Sequence, residues 1–215
     1  MVVGCDEVGR GALGGPVAVG VVAVDSGTGR VPRGLRDSKL LSAHERERLV
    51  PEIQSWARGF GVGYASPGEI DQVGIVAALG LAGRRALADL EKLLGQACRR
   101  DEEPRLVLLD GNHDWLSPLP GGGVPIEIEL RVRADLDCAS VSAASVVAKV
   151  ARDRLMVELS GVHPLYGWEK NKGYGVAEHR RAIAEHGACD LHRRSWDLPL
   201  TSCPGPSGDR GRALR

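Results

Sequence analysis

MVVGCDEVGRGALGGPVAVGVVAV, residues 1–24, contains two apolar, β-branched runs on either side of a glycine-rich turn. The first run ends at Asp6, and the second begins at Pro16 and continues to Val24. Apolar runs bounded by glycine and proline are typical of buried strands, and a short connection between two of them favours a hairpin. We therefore expect residues 1–24 to form two paired strands in the core.

The next segments of the chain carry helix signals. The patterns S-A-H-E at residues 42–45 and S-P-G-E at residues 66–69 are capping boxes. The first predicts a helix to about Trp56, and the second has Pro67 in its first turn, where proline is favoured. Beyond it, apolar residues recur at the period of an amphipathic helix, at Ile75, Leu79, Ala82, Ala86, Leu87, Leu90 and Leu94.

The second half of the chain again interleaves strands with helices. The runs RLVLLD at 105–110 and PIEIELRV at 125–132 predict strands, and residues 140–159 and 176–186 predict helices. The first of these helices opens with small residues, which allow close approach to a sheet, and Gly161 is its expected C-cap. This order predicts an α/β fold, a mixed sheet flanked by helices, with a C-terminal helical and loop segment.

Composition limits the class of protein. A chain of 215 residues fits one compact domain, here residues 1–201, followed by a disordered tail rich in Pro, Gly, Ser and Arg at 202–215. The absence of any apolar run near ~20 residues or of a signal-peptide pattern predicts a cytoplasmic protein without membrane association. The five cysteines are odd in number and form no CxxC pair, which argues against a zinc site or a disulfide framework.

Four acidic residues occupy positions where an α/β fold would place a site. Asp6 and Glu7 end the first strand, Asp110 ends a later one, and Asp135 follows another. Ligands gather beyond strand ends in open α/β sheets, and clustered carboxylates repel unless a cation lies between them. Oxygen ligands suit Mg²⁺ or Mn²⁺.

An alternative for each acid taken alone is an ordinary turn residue, and Asp110 followed by glycine is more often that. Neighbouring strand residues also point to opposite faces, so Asp6 and Glu7 can serve one site only if the chain bends. Gly9 and Gly11 could allow such a bend, although both glycines also fit a simple tight turn.

Several segments, in order along the chain, resemble the ribonuclease HII family. They are G-C-D-E-V-G-R-G at 4–11, D-S-K at 37–39, D-G-N at 110–112, A-D at 134–135 with V-S-A-A-S-V-V-A-K-V-A-R-D-R at 141–154, H-P to Y-G at 163–175, and H-R-R-S at 192–195. The resemblance spans about Gly4 to Trp196. Ala12, Gly14 and Trp196 depart from the usual pattern, but none of them is an acid.

The resemblance implies an RNase H-like fold with Asp6, Glu7, Asp110 and Asp135 as catalytic residues and ligands of Mn²⁺ or Mg²⁺. It also implies an endoribonuclease that cuts the RNA strand of RNA-DNA hybrids and incises 5′ of ribonucleotides embedded in duplex DNA. The cut would leave a 3′-hydroxyl and a 5′-phosphate. Asp6 is the expected bridging ligand of a two-metal site.

The resemblance further implies that certain residues bind substrate. Gly9, Arg10 and Gly11 would contact the 2′-hydroxyl, and Tyr174 would pack on the adjacent deoxyribose. Because Lys plus Arg (28) equals Asp plus Glu (28), phosphate binding must come from a local patch. Its candidates are Lys39, Lys149, Arg193 and Arg194, although isolated basic residues are usually only solvated charges.

Two questions stay open at this point. The segment Tyr166, Trp168, Lys170, Lys172 and Tyr174 interleaves aromatics with cations, which fits local packing and nucleic-acid binding about equally well. The rival functions are a nuclease that needs a run of ribonucleotides and a non-catalytic nucleic-acid-binding module. The six histidines lack zinc spacing and receive no catalytic role, and the protein is expected to be a monomer.

Overall fold

The computed structural model describes residues 1–95, 105–117 and 126–199. Its strands are β1 (Val2–Val8), β2 (Val17–Val24), β3 (Gly59–Ala65), β4 (Arg105–Asp110) and β5 (Ile126–Arg131). Its α-helices are α1 (Ala43–Trp56), α2 (Pro67–Leu94), α3 (Ala134–Asp137), α4 (Ala139–Val162), α5 (Trp168–Asn171) and α6 (Ala177–His186). The predicted tail at 202–215 lies outside the described residues.

The strands form one mixed sheet in the order β3-β2-β1-β4-β5. The hairpin of β1 and β2 is confirmed, with Val2 opposite Val24 and Val8 opposite Ala18. Strands β1, β4 and β5 run parallel, so their carboxyl ends meet at one edge of the sheet. This arrangement confirms the predicted α/β fold.

Helices α2 and α4 cover opposite faces of the sheet. Successive side chains of β1 therefore point alternately toward one helix and toward the other. Cys5 belongs to the core that faces α2. Gly4 faces α4, where an added Cβ would come within 2.2 Å of the Ser140 backbone. The small residues predicted to allow this approach, residues 142–145 of α4, are all buried. Close packing of α4 on β1 therefore depends on small side chains from both elements.

Strand β3 was missed by the sequence analysis. Its sequence GFGVGYA places a glycine at every second position, and glycine disfavours strands. These glycines face α2, where a Cβ on Gly61 or Gly63 would lie about 2 Å from a helix carbonyl oxygen. Their small size is thus required by packing against a helix, which no local propensity indicates.

The helices differ from prediction mainly at their ends and at one kink. Both capping boxes are present, at Ser42 and Ser66. The long helix α2 is interrupted at Gly74, whose φ of 78° is not helical. The prediction that Gly161 caps α4 was wrong, since the helix continues to Val162. No helix in the described residues is long and apolar enough to span a membrane.

The C-terminal segment packs onto the α4 end of the domain as a small core of its own. That core contains Leu13, Met156, Tyr166, Trp168 and Ile183. Leu13 comes from the loop that joins β1 to β2. The C-terminal segment therefore lies against the loop that follows the first two acids.

Candidate active site

The sheet topology brings the predicted acids to one edge. In the parallel pair of β1 and β4, Cys5 lies opposite Leu109, and the next residues along these strands are Asp6 and Asp110. Asp135 lies in α3, four residues after the end of β5. The acids thus collect beyond the carboxyl ends of parallel strands, where α/β folds bind ligands.

Two of the four acids are buried: Asp135 is 4% exposed, beside a solvent-facing lysine, and Asp6 is 5% exposed. Asp6 accepts a hydrogen bond from the Glu7 amide at 2.8 Å and one from the Ser145 hydroxyl. Burial raises the pKa of Asp6 to about 7; the Ser145 hydrogen bond opposes this shift, and the charges of Glu7 and Asp110 add to it. A carboxylate in this position is poorly stabilised by the protein alone.

Glu7 lies in the same straight strand as Asp6. The expected bend between them is absent, because Asp6 and Glu7 stay in register with Gly20 and Val19 of β2. Glu7 forms an ion pair with Arg10 at 3.5 Å. Burial raises the pKa of Glu7, Arg10 opposes the shift, and Asp110 adds to it. Both carboxylates are therefore near Asp110 although they leave the strand on opposite faces.

Asp110 and Asp135 connect the second strand end to α3. Asp110 accepts a hydrogen bond from the Ala134 amide at 2.7 Å. The Lys39 ammonium lies 3.4 Å from the Asp135 carboxylate. Burial and the nearby charges of Asp110 and Asp37 raise the pKa of Asp135, and Lys39 opposes them. Lys39 thus lies at the acids, with 76% of its side chain exposed.

The four acids supply the oxygen ligands that a divalent cation needs, but their side chains are not yet arranged around a common point. Among the described residues, no three His, Cys, Asp or Glu side chains already converge as a metal-binding group. Each acid instead has its own protein partner, as described above. The donor set contains only oxygen, which Mg²⁺ and Mn²⁺ prefer, and a cation there would offset the burial and the repulsion that together raise the pKa of Asp6.

Asp37 and Ser38 are buried site residues that the sequence analysis did not single out beyond their motif. The Ser38 hydroxyl lies 2.8 Å from the Ser145 hydroxyl, and Ser145 also binds Asp6. A continuous polar contact therefore runs from this loop through α4 to the central acid. Because the residues are over 100 positions apart, the D-S-K motif was the only sequence signal.

The loop that follows β1 contains glycines of two kinds. Gly9 has a φ of 83°, and a Cβ on it would lie 2.1 Å from the Arg152 guanidinium, so only glycine fits. Gly11 has neither constraint, since nothing lies within 4 Å of its would-be Cβ. A tight turn explains Gly9 but does not explain Gly11.

Arg193 does not belong to a phosphate-binding patch, and that prediction was wrong. Its side chain is fully buried and donates to the carbonyl oxygens of Gly9 at 2.6 Å and Arg10 at 2.7 Å. Its donors are used inside the protein and cannot reach a phosphate. Arg194, by contrast, is exposed and forms an ion pair with Asp190 at 2.7 Å.

Tyr174 lies beside the glycine loop. It is half-buried, forms a β-bridge with Ala12, and has the Lys149 ammonium 5.8 Å and the Arg152 guanidinium 5.5 Å from its ring centre. The Lys149 head also pairs with Asp153 at 2.8 Å. Tyr174 and Lys149 are thus neighbours on the same side of the site.

The rest of the aromatic strip packs inside the protein. Tyr166 and Trp168 are buried, with their rings stacked at 5.3 Å. The Trp168 indole donates to His179 Nε2 at 3.0 Å, and the opposite ring nitrogen of His179 binds the Tyr174 carbonyl oxygen. His192 is also buried, and burial, with His179 nearby, lowers its pKa to about 4. These buried residues hold the Tyr174 backbone through His179 and are not available as a nucleic-acid surface.

Comparisons with known proteins agree with this architecture. The family model for ribonuclease HII matches residues 3–198. Ribonuclease HII of Streptomyces avermitilis is 42% identical over 196 residues, covering 91% of this chain and 76% of that protein. Ribonuclease HII of Paracoccus denitrificans is 43% identical over 202 residues, covering 91% and 84%.

Among solved structures, ribonuclease H2 from Pyrococcus horikoshii OT3 superposes with a TM-score of 0.69 at 24% identity, covering 92% of this chain and 94% of that one. That likeness concerns the fold. Together with the family match over nearly the whole chain, it leads to one assignment: the chain belongs to the ribonuclease HII family and is a type 2 ribonuclease H.

Proposed function

We propose that this ribonuclease H cuts the RNA strand of RNA-DNA hybrids and also incises on the 5′ side of single ribonucleotides embedded in duplex DNA. The products are a 3′-hydroxyl and a 5′-phosphate, and the reaction depends on Mg²⁺ or Mn²⁺. The observation that carries this proposal is an open glycine, Gly11, in the loop that leaves the strand of Asp6 and Glu7, where acids collect at the ends of parallel strands.

In the proposed mechanism, Asp6, Glu7, Asp110 and Asp135 would hold the cations, and the charges of Glu7 and Asp110 both act on the buried Asp6 carboxylate. Bound there, divalent cations would activate the attacking water and stabilise the departing 3′ oxygen in an in-line displacement. Ser145 and the Glu7 amide hold the Asp6 carboxylate in place. The Lys39 ammonium, next to Asp135, adds a positive charge near the reacting phosphate.

Selection of ribonucleotides requires contact with the 2′-hydroxyl, the group that distinguishes RNA from DNA. The main chain at Gly11 is exposed and has open space where a side chain would be, so a sugar could approach it closely. Tyr174 is paired through its backbone with Ala12, the residue after Gly11, and its half-buried ring would contact a neighbouring sugar. Because the proposed contact involves the 2′-hydroxyl of one sugar, a single ribonucleotide in duplex DNA would be sufficient for it.

The proposal is tested with a duplex that carries one embedded ribonucleotide. We expect a single cut on its 5′ side with Mg²⁺ or Mn²⁺ and none with EDTA. A rival enzyme that requires a run of ribonucleotides would cut a continuous hybrid but leave this duplex intact. A non-catalytic binding module would cut neither substrate.

Substitution of the two glycines separates recognition from folding. Gly11→Ala is expected to leave the melting temperature unchanged but to lower kcat/KM on the embedded ribonucleotide by about 10²-fold, the scale of a 1 Å misplacement of the substrate. Gly9→Ala is expected to destabilise the protein, because alanine at its positive φ would also collide with Arg152. Normal activity of a stable Gly11→Ala variant would contradict the sugar contact.

The contribution of a local positive charge is measured by the salt dependence of binding. Lys149→Ala is expected to reduce the slope of log Kobs against log salt concentration by about one, the effect of one lost phosphate contact. The control is Lys92→Ala on the surface of α2, because Lys92, like Lys149, pairs with an aspartate of its own helix, here Asp89. Equal slopes for the two variants would show that phosphates are bound elsewhere.

A further inference from the structure

The loop between β1 and β2 turns its carbonyl groups inward, toward a buried guanidinium. Arg193 donates to the oxygens of Gly9, Arg10 and Gly15 at 2.6, 2.7 and 3.2 Å. Its side chain is fully buried, and no carboxylate of the described residues lies within ion-pair distance. A buried cation is costly unless its donors are satisfied, and here main-chain oxygens satisfy them.

The inward carbonyls determine where the next amide groups point. In a trans peptide, the N–H lies opposite the C=O across the peptide plane, and the described chain contains no cis peptide. Since the carbonyls of Gly9 and Arg10 face Arg193, the amides of Arg10 and Gly11 face away from it. Neither amide donates to an acceptor among the residues that the structure describes.

We propose that Arg193 is a positioning residue for ribonucleotide recognition. By holding two successive carbonyls inward, it presents the Arg10 and Gly11 amides as a preformed pair of donors to the 2′-hydroxyl oxygen. Two adjacent, outward amides form a concave donor site for an oxygen atom. Arg193 itself touches no substrate, and the inference rests on the proposed contact between this loop and the ribonucleotide.

A matched control exists in Arg152, a second buried arginine, which lies in α4 and donates to the same loop. Arg152 donates to the carbonyl oxygens of Pro16 at 2.8 Å, Lys172 at 3.0 Å and Gly14 at 3.3 Å. It is as buried as Arg193 and packs against Gly9, but its hydrogen bonds are to Gly14 and Pro16 at the far end of the loop and to Lys172. Loss of either guanidinium should destabilise the protein, whereas only loss of Arg193 should release the Arg10 carbonyl and leave the Gly9 carbonyl with the Ala12 amide, at 3.2 Å, as its donor.

The test compares Arg193→Lys with Arg152→Lys. Lysine keeps the charge, but its compact ammonium cannot span carbonyls as the planar guanidinium does. Each variant is assayed on a duplex with one ribonucleotide and on the same duplex with a 2′-fluoro nucleotide there. The readouts are kcat/KM with Mg²⁺, binding of both duplexes in EDTA, and the melting temperature.

Arg193→Lys is expected to lower the preference for the ribonucleotide over the 2′-fluoro duplex about tenfold, the value of one hydrogen bond. Arg152→Lys should lower the melting temperature comparably but reduce the preference less, because Arg152 donates to neither the Gly9 nor the Arg10 carbonyl. A preference that survives in Arg193→Lys, or falls equally in both variants, overturns the inference. A wild type without preference would instead contradict the proposed sugar contact itself, and with it the inference.

A measurement on the wild type covers the case in which Arg193→Lys does not fold. The ¹H–¹⁵N signals of Arg10 and Gly11 are followed while metal-free protein is titrated with each duplex. The inference predicts a large downfield shift of both amide protons with the ribonucleotide duplex and a small one with the 2′-fluoro duplex. Identical shifts with the two duplexes overturn it.

Discussion

Asp6→Asn is expected to lose nearly all cleavage activity while it keeps its fold. The loss should exceed the roughly 10–100-fold reduction that changes around metal ligands usually cause. The reason is that Asp6 is a buried carboxylate close to Glu7 and Asp110, and a neutral amide would hold a divalent cation far less well than a carboxylate. Cleavage is measured at saturating Mg²⁺ on a duplex with one ribonucleotide.

The same variant is expected to be more stable than the wild type when no metal is present. In the folded protein the pKa of Asp6 is about 7, compared with an ordinary value of 3.8. Between these values the folded state holds a proton that the unfolded state has lost, so the wild-type free energy of unfolding falls as pH rises from about 4 to about 7. The shift corresponds to at most about 4 kcal/mol.

A second titration in this range acts in the opposite direction. The pKa of His192 is about 4 in the folded protein and 6.5 ordinarily, so its stabilising contribution is lost as pH falls from about 6.5 to about 4. This effect is present in both wild type and Asp6→Asn and cancels in their difference. That difference should therefore be near zero at pH 4 and largest above pH 7.

The control for Asp6 is Asp89→Asn, at an exposed carboxylate on α2. It should change neither activity nor the pH dependence of unfolding. Added Mn²⁺ should raise the melting temperature of the wild type and of Asp89→Asn, because binding to the folded state stabilises it, but should have little effect on Asp6→Asn. Near-normal cleavage by Asp6→Asn at saturating Mg²⁺ would contradict the metal-site proposal.

Tyr174→Ala is expected to lower cleavage at a single embedded ribonucleotide by on the order of 10²-fold without affecting metal binding. Its ring lies next to the loop that contains Gly11, and its removal would let the reacting phosphate shift by about 1 Å. On a continuous hybrid, the sugar beyond the cut is a ribose, which the ring should fit less well even in the wild type. The loss there should be smaller.

Tyr174→Phe provides the matched control, because it keeps the ring near Lys149 and Arg152 and removes only the hydroxyl. The Tyr174 carbonyl, bound by His179, is unchanged in both variants. We expect Tyr174→Phe to retain most of the activity on both substrates. The measurement is the ratio of kcat/KM on the two substrates, and an equal loss on both for Tyr174→Ala would mean that the ring only supports the fold.

Local patterns in the sequence were sufficient for the hairpin, the capping boxes at Ser42 and Ser66, and the small-residue face of α4. They also located Asp6 and Asp110, since each is the acid that ends an apolar strand run. These features depend on residues close together in the chain, where turn chemistry, hydrophobic period and side-chain size act directly. The family resemblance then joined the acids into one expected site.

Tertiary structure alone decided the role of individual residues in the glycine loop. Gly9 and Gly11 look alike in the sequence, yet only Gly9 is required by the fold, because Arg152 lies where its Cβ would be. Arg193 looks like a surface cation, yet it is buried against carbonyls more than 180 residues earlier. Strand β3 likewise depends on α2 packing against its glycines. Contacts across such separations leave no local pattern in the chain, so burial and hydrogen-bond partners appear only when the segments are folded together.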